Sequence, residues 1–94
     1  MAGNSLQHDI ETAARILREA GAREVFVFGS ASRSEERPAS DLDLAVRGLP
    51  PERFFDAMSR AALAVSRPLD LIDLDAGNPF TEYLERKGEL RRVA

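Results

Sequence analysis

Ser40-Asp41-Leu42-Asp43-Leu44-Ala45-Val46 is the stretch on which the reading of this chain turns. It alternates strictly: Leu42, Leu44 and Val46 fall on one face of a strand, and Asp41, Asp43 and Ala45 on the other. One face therefore meets a core while the other is open and acidic. Aspartate is poorly suited to strands, so two on one open face ask for a reason beyond propensity. Side chains two apart on a strand point the same way, with Cα atoms roughly 6.5 to 7 Å apart. The two carboxylates thus stand side by side.

Upstream, Val25-Phe26-Val27-Phe28 is a β-branched and aromatic run closed by Gly29, which reads as a buried strand ending in a glycine turn. Before it, Leu6, Ile10, Ala13, Ala14 and Leu17 form the stripe of an amphipathic helix, with Ser5 placed to cap its start and Gly21 its end. Ser30 to Ser34 suit a helical turn, and Glu35 to Ala39, with Pro38, a loop. Downstream, Pro50-Pro51 suits the first turn of a second helix that ends near Ser66, with Phe54, Phe55, Met58, Ala61, Ala62 and Val65 inward. Leu69-Asp70-Leu71-Ile72-Asp73-Leu74 is a third strand. A turn over Asp75-Ala76-Gly77-Asn78-Pro79 leads to a short helix with Phe80, Tyr83 and Leu84 inward, Tyr83 keeping a polar tip. The order α-β-turn-β-α-β-α predicts an α/β (α+β) fold, a small mixed β-sheet with helices on one face. Ninety-four residues suit a single domain, 1–94.

If the third strand pairs beside the acidic one with Leu69 and Leu71 facing the core, Asp70 emerges on the acidic face. Three carboxylates then converge. Their repulsion raises their pKa values unless cations neutralise it, and divalent ions with oxygen ligands are the usual answer. Two Mg²⁺ ions about 3.5 to 4 Å apart, bridged by Asp41, Asp43, Asp70 and a triphosphate, would satisfy the site. Asp73 is offset from Asp70 by an odd number and ranks below it; Asp75, two before a glycine, reads as turn chemistry. Gly29-Ser30 lies where a strand gives way to a turn, so free amides there can receive a phosphate, with the Ser30 hydroxyl added. Arg33, one helical turn on, reaches either a phosphate oxygen or a nearby carboxylate. A Gly-Ser after a strand is by itself an ordinary turn, and an Asp-x-Asp by itself is usually solvated surface. Their combination with a third carboxylate is what points to metal and phosphate. His8 reads as surface.

Composition narrows the classes further. Apolar residues make up 44% of the chain and charges are well mixed, as in a globular protein. The net charge of −3 argues against a broad cationic surface for nucleic acid, so no direct nucleic-acid contact is expected. With no cysteine, thiolate catalysis and cysteine zinc sites are excluded. The single lysine, Lys87, follows no Gly-x-x-x-x-Gly pattern, which excludes a P-loop. No leader pattern and no long apolar run is present, so a cytoplasmic protein without membrane contact is expected.

Val25-Phe26-Val27-Phe28-Gly29-Ser30, Arg33, Ser40-Asp41-Leu42-Asp43-Leu44 and Leu69-Asp70-Leu71-Ile72 together resemble the signature of DNA polymerase beta-like nucleotidyltransferases. The subgroup resembled is the minimal nucleotidyltransferases, and the likeness runs through the closing helix to Lys87-Gly88-Glu89. Ala31 and Ser34 depart from it, standing where Arg and Gly are common. The resemblance implies Mg²⁺ held by Asp41 and Asp43, with Asp70 completing the site and helping to activate the acceptor hydroxyl. It also implies nucleotide phosphates held by Gly29 and Ser30, with ATP or another nucleoside triphosphate as substrate. It further implies a helical HEPN protein encoded nearby, to whose tyrosine AMP is transferred, this chain being the antitoxin of a toxin–antitoxin pair. Larger relatives carry an acceptor-gripping domain for which this chain has no space, so a second polypeptide is expected to supply it. Two alternatives stay open, a non-catalytic antitoxin that masks its partner and transfer to a small molecule, as does homo- or hetero-oligomer formation.

Overall fold

The computed structural model describes residues 5–29, 41–87 and 90–94. The Ser5 hydroxyl accepts the His8 amide at 3.1 Å and caps α1 (Leu6–Glu19). The apolar stripe Leu6, Ile10, Ala13, Ala14 and Leu17 is buried along its length. The helix stops at Gly21, whose φ of +121° is open to glycine alone among common residues. The chain then runs through β1 (Glu24–Phe28) and, after residues outside those described, β2 (Leu42–Arg47). A 3₁₀ turn, Pro51–Arg53, feeds α2 (Phe54–Ala64), followed by β3 (Leu69–Asp73), a second 3₁₀ turn at Leu74–Ala76, α3 (Pro79–Lys87) and β4 (Arg91–Arg92).

The sheet order is β3-β2-β1-β4. β2 runs antiparallel to β1 and parallel to β3, and β4 runs antiparallel to β1. The parallel pair needs a crossover, which α2 supplies. Helices α1 and α2 cover one sheet face, and their Ile10, Leu17, Ala57 and Ala61 join Val25, Val27, Leu42, Leu44, Val46 and Leu71 in the main core. The small mixed sheet is as expected, and α1 and α2 share one face, but α3 departs from the expectation and lies on the other. The short α3 adds contacts on the reverse side: Phe80 meets Phe28, and Glu85 binds Arg47. Phe28 and Arg47 each follow a core-facing residue, Val27 and Val46, so strand alternation turns them to that reverse side. Arg47 there also pairs with Glu24 at 3.2 Å.

Four further expectations are corrected. Phe55 and Ala62 do not face the core: Phe55 is 72% exposed, Ala62 is exposed, and Ala57 is buried instead. One residue turns a helix by about 100°, so the stripe that fits the sheet is Phe54, Ala57, Met58, Ala61, and Phe55 is left to lean edge-on against Phe54, centroids 5.5 Å apart. Phe80 and Tyr83 are likewise half-exposed, and α3 buries Thr81 and Leu84. Asn78 sets that rotation, because its Oδ1 accepts the Thr81 amide at 2.9 Å while Thr81 Oγ1 donates to its carbonyl at 2.9 Å. Strand β1 is buried on one face only, Phe26 and Phe28 being half-buried. Finally, β4 has no counterpart in the expected order.

A polar group inside the apolar stripe of α1 was also not anticipated. Asp9 is fully buried. Its carboxylate accepts the Ser66 amide at 3.2 Å, the Ser66 hydroxyl at 2.7 Å and Arg67 Nε at 2.8 Å. Burial pushes this carboxyl upward, but the bonds from Ser66 and Arg67, with the Arg67 charge, outweigh it and hold it below the usual aspartate value. The contact ties α1 to the segment that enters β3. Breaking a buried pair from one side costs about 3 to 5 kcal/mol, so Asp9→Ala should lower stability by about 3 kcal/mol in urea unfolding at pH 7. A lowered pKa stabilises fully above the unfolded value of about 3.9 and is lost as pH falls through the folded one; the gap between wild type and Asp9→Ala should narrow at pH 3.

Candidate active site

The backbone register builds the site. Phe28, the last residue of β1, is the partner of Asp43, and Asp43 is in turn the partner of Asp70 on β3. Neighbouring strands lie about 4.8 Å apart, so Asp43 stands between an aromatic ring and a second carboxylate on the face opposite the main core. Asp43 is half-buried, Asp70 exposed, and Asp41 exposed just ahead of β2. Burial first, then the charges of Asp70 and Asp41, push the Asp43 carboxyl above its ordinary value. Asp43 thus meets both neighbours as like charges.

Gly29 closes the site from the β1 side. Its φ is +69°, and a Cβ there would lie 2.7 Å from Asp43 Oδ2. Only glycine lets the backbone come so close to that oxygen. Hard carboxylate oxygens suit Mg²⁺, and the space a Cβ would fill keeps one of them clear. Among the described residues no three acidic or imidazole side chains form a ready-made metal group. Mg²⁺ does not require one, since it is commonly held by one or two carboxylates together with substrate phosphates rather than by an all-protein cage. The donor set fits the ion in that mode.

The remaining sequence candidates divide. Asp73, the last residue of β3, accepts the Asp75 amide at 2.9 Å and so serves the following turn. Asp75 accepts the Gly48 amide at 2.7 Å, which joins the start of that turn to the exit of β2, away from Asp43. His8 is exposed. Ser30 and Arg33 lie outside the described residues, as do Ala31, Ser34, Gly88 and Glu89. Sequence reasoning overlooked Phe28 as a neighbour of the carboxylates. The signal was present: with Val25 and Val27 in the core, parity turns Phe26 and Phe28 to the acidic side.

Residues 11–90 match the family Polymerase beta, Nucleotidyltransferase, and the chain belongs to that family. Its members typically use divalent metal ions. The fold is similar to that of solved minimal nucleotidyltransferases. A structure described as a minimal nucleotidyltransferase superposes with a TM-score of 0.69 at 24% identity, covering 95% of this chain and 91% of the other. A toxin–antitoxin crystal structure with AMP-PNP gives 0.68 at 21%, covering 87% and 69%. An MNT antitoxin in complex with the tri-AMPylated HEPN toxin of Shewanella oneidensis gives 0.65 at 20%, covering 93% and 70%. No curated protein matches the sequence. Among the described residues no helix is long and apolar enough to cross a membrane.

The Asp43 shift has a measurable consequence. A carboxyl raised by folding carries no penalty below its unfolded pKa of about 3.9, and the full penalty once pH exceeds the folded value. Asp43→Asn in EDTA should therefore melt at a higher temperature than wild type at pH 7, and the two should converge by pH 3.

Proposed function

We propose that this chain transfers a nucleoside monophosphate, AMP from ATP, to a hydroxyl on a partner protein, with Asp41, Asp43 and Asp70 as the catalytic and metal-binding carboxylates. The observation that carries the reading is the like-charged cluster around Asp43, pressed against a glycine backbone with Asp41 and Asp70 exposed beside it. Such a cluster is unfavourable alone and becomes favourable when cations and phosphates arrive.

Asp41 and Asp43 would hold Mg²⁺, two ions during turnover, which supply charge neutralisation at the α-phosphate and the leaving pyrophosphate. Gly29 and Ser30 would receive phosphate oxygens through their amides, with Arg33 beside them. Asp70, across the ladder from Asp43, would take the proton of the acceptor hydroxyl. The hydroxyl oxygen forms its bond to the α-phosphorus as the bond from that phosphorus to the bridging oxygen breaks, and pyrophosphate leaves. No covalent enzyme intermediate is required, and positioning plus charge stabilisation carries the rate.

The acceptor assigned is a tyrosine of a HEPN-type helical toxin, which makes this chain the antitoxin of the pair. Support comes from the fold shared with an MNT antitoxin in complex with a tri-AMPylated HEPN toxin and with a toxin–antitoxin structure holding AMP-PNP. The net charge of −3 accords with a protein acceptor rather than nucleic acid.

The test is incubation of the chain with α-labelled ATP and Mg²⁺, with and without a HEPN protein encoded beside it. Label should appear on the partner and fall by more than about 10²-fold in Asp41→Asn/Asp43→Asn, since metal charge stabilisation is worth several kcal/mol. A stable complex that carries no label with any nucleoside triphosphate would favour masking by contact. Gly29→Ala should also cut labelling by at least about tenfold, because its Cβ displaces Asp43 and the left-handed backbone costs about 1 to 2 kcal/mol.

A further inference from the structure

Helix α3 leaves two aromatic rings in solvent, Phe80 at 48% and Tyr83 at 44% exposure. With Lys87 they occupy positions i, i+3 and i+7, one face of the helix, and the Lys87 ammonium lies 5.9 Å from the centre of the Tyr83 ring. Lys87 thus lies over the Tyr83 ring without burying it. Phe80 has a different neighbour: its ring centre is 6.2 Å from that of Phe28, at 70°. Phe28 is the ladder partner of Asp43 and faces the same side. Directly opposed side chains in an antiparallel pair have Cβ atoms about 4.5 to 5.5 Å apart. An apolar surface thus begins beside the catalytic carboxylate and continues outward to an exposed ring.

Phe80 stays half-exposed although its ring meets Phe28 edge-on. Asn78 fixes Thr81 inward and so sets the face of α3 on which Phe80 lies. The ring is consequently held at the rim of the site by a defined cap rather than left there by loose packing. A nucleotide whose α-phosphate sits at Asp43 extends its base one ribose away, and the flat face of a base is matched by an aromatic ring.

Resting on the nucleotidyltransferase reading, we propose that Phe80, braced by Phe28, is the stacking surface for the nucleobase of the donor nucleotide. Stacking tolerates any base because every base has a π-face, and it grows with ring area. The site accordingly binds purine triphosphates more tightly than pyrimidine ones without reading a particular hydrogen-bond edge.

The test compares binding of ATP with that of tripolyphosphate, which has no base, to the full chain in Mg²⁺. Phe80→Ala should weaken ATP about tenfold, within the range measured for aromatic–base stacking, and leave tripolyphosphate unchanged. Phe80→Trp should restore ATP binding, and UTP should bind wild type more weakly than ATP but respond less to Phe80→Ala. Unchanged ATP affinity in Phe80→Ala, or equal weakening of ATP and tripolyphosphate, would overturn the stacking role while the transfer reading stands. Wild type that binds neither probe would overturn the transfer reading and this inference together.

Discussion

The register of β2 between β1 and β3 is the constraint from which the site follows. Leu42, Leu44 and Val46 must enter the core with Val25, Val27 and Leu71, and a shift by one residue would carry the whole apolar set into water. That requirement fixes the face each residue takes, and within it the observed pairing sets Asp43 opposite Asp70 and beside Phe28. Hydrophobic burial therefore forces together charges that repel. The fold tolerates the repulsion by leaving Asp41 and Asp70 exposed to solvent, and the charge that would relieve it is brought by the ligand.

Supporting contacts act on the same register from a distance. Asp9, buried in α1, holds Ser66 and Arg67, three or four residues before Asp70, and so fixes where β3 begins. The Leu42 amide donates to the Pro68 carbonyl at 2.8 Å, which extends the β2–β3 ladder to the residue just before β3. On the far end of the sheet, Arg47 joins Glu24 and Glu85, holding α3 against the reverse face. The carboxylate end and the ion-pair end of the sheet are thus stabilised by different means: one by packing and a buried pair, the other by half-exposed charges.

Much of this was legible because it rests on periodicity. Alternation in 42–46 and 69–71 gave the faces of both strands, and parity placed Asp70 with Asp43 and demoted Asp73. Features that depend on distant partners were not legible. Asp9 carries no signal in the helix stripe, since its partners lie 57 and 58 residues away. Strand β4 is two arginines long and pairs through its backbone with β1, which leaves no mark in side-chain pattern. The inward faces of α2 and α3 were misjudged where more apolar residues were present than the sheet has room to cover: Phe55, Phe80 and Tyr83 fit a helical stripe on paper, but smaller Ala57 and Thr81 fit the sheet.

The central claim is that the Asp43 cluster is completed by a divalent ion together with a nucleotide. Calorimetric titration of the chain with a nucleoside triphosphate analogue whose α–β bridge cannot be cleaved tests it most directly, in Mg²⁺ and again in EDTA, for wild type and Asp43→Asn. The account predicts heat of binding for wild type in Mg²⁺ only, and its loss in Asp43→Asn. Equal binding with and without Mg²⁺, unaffected by Asp43→Asn, would contradict it.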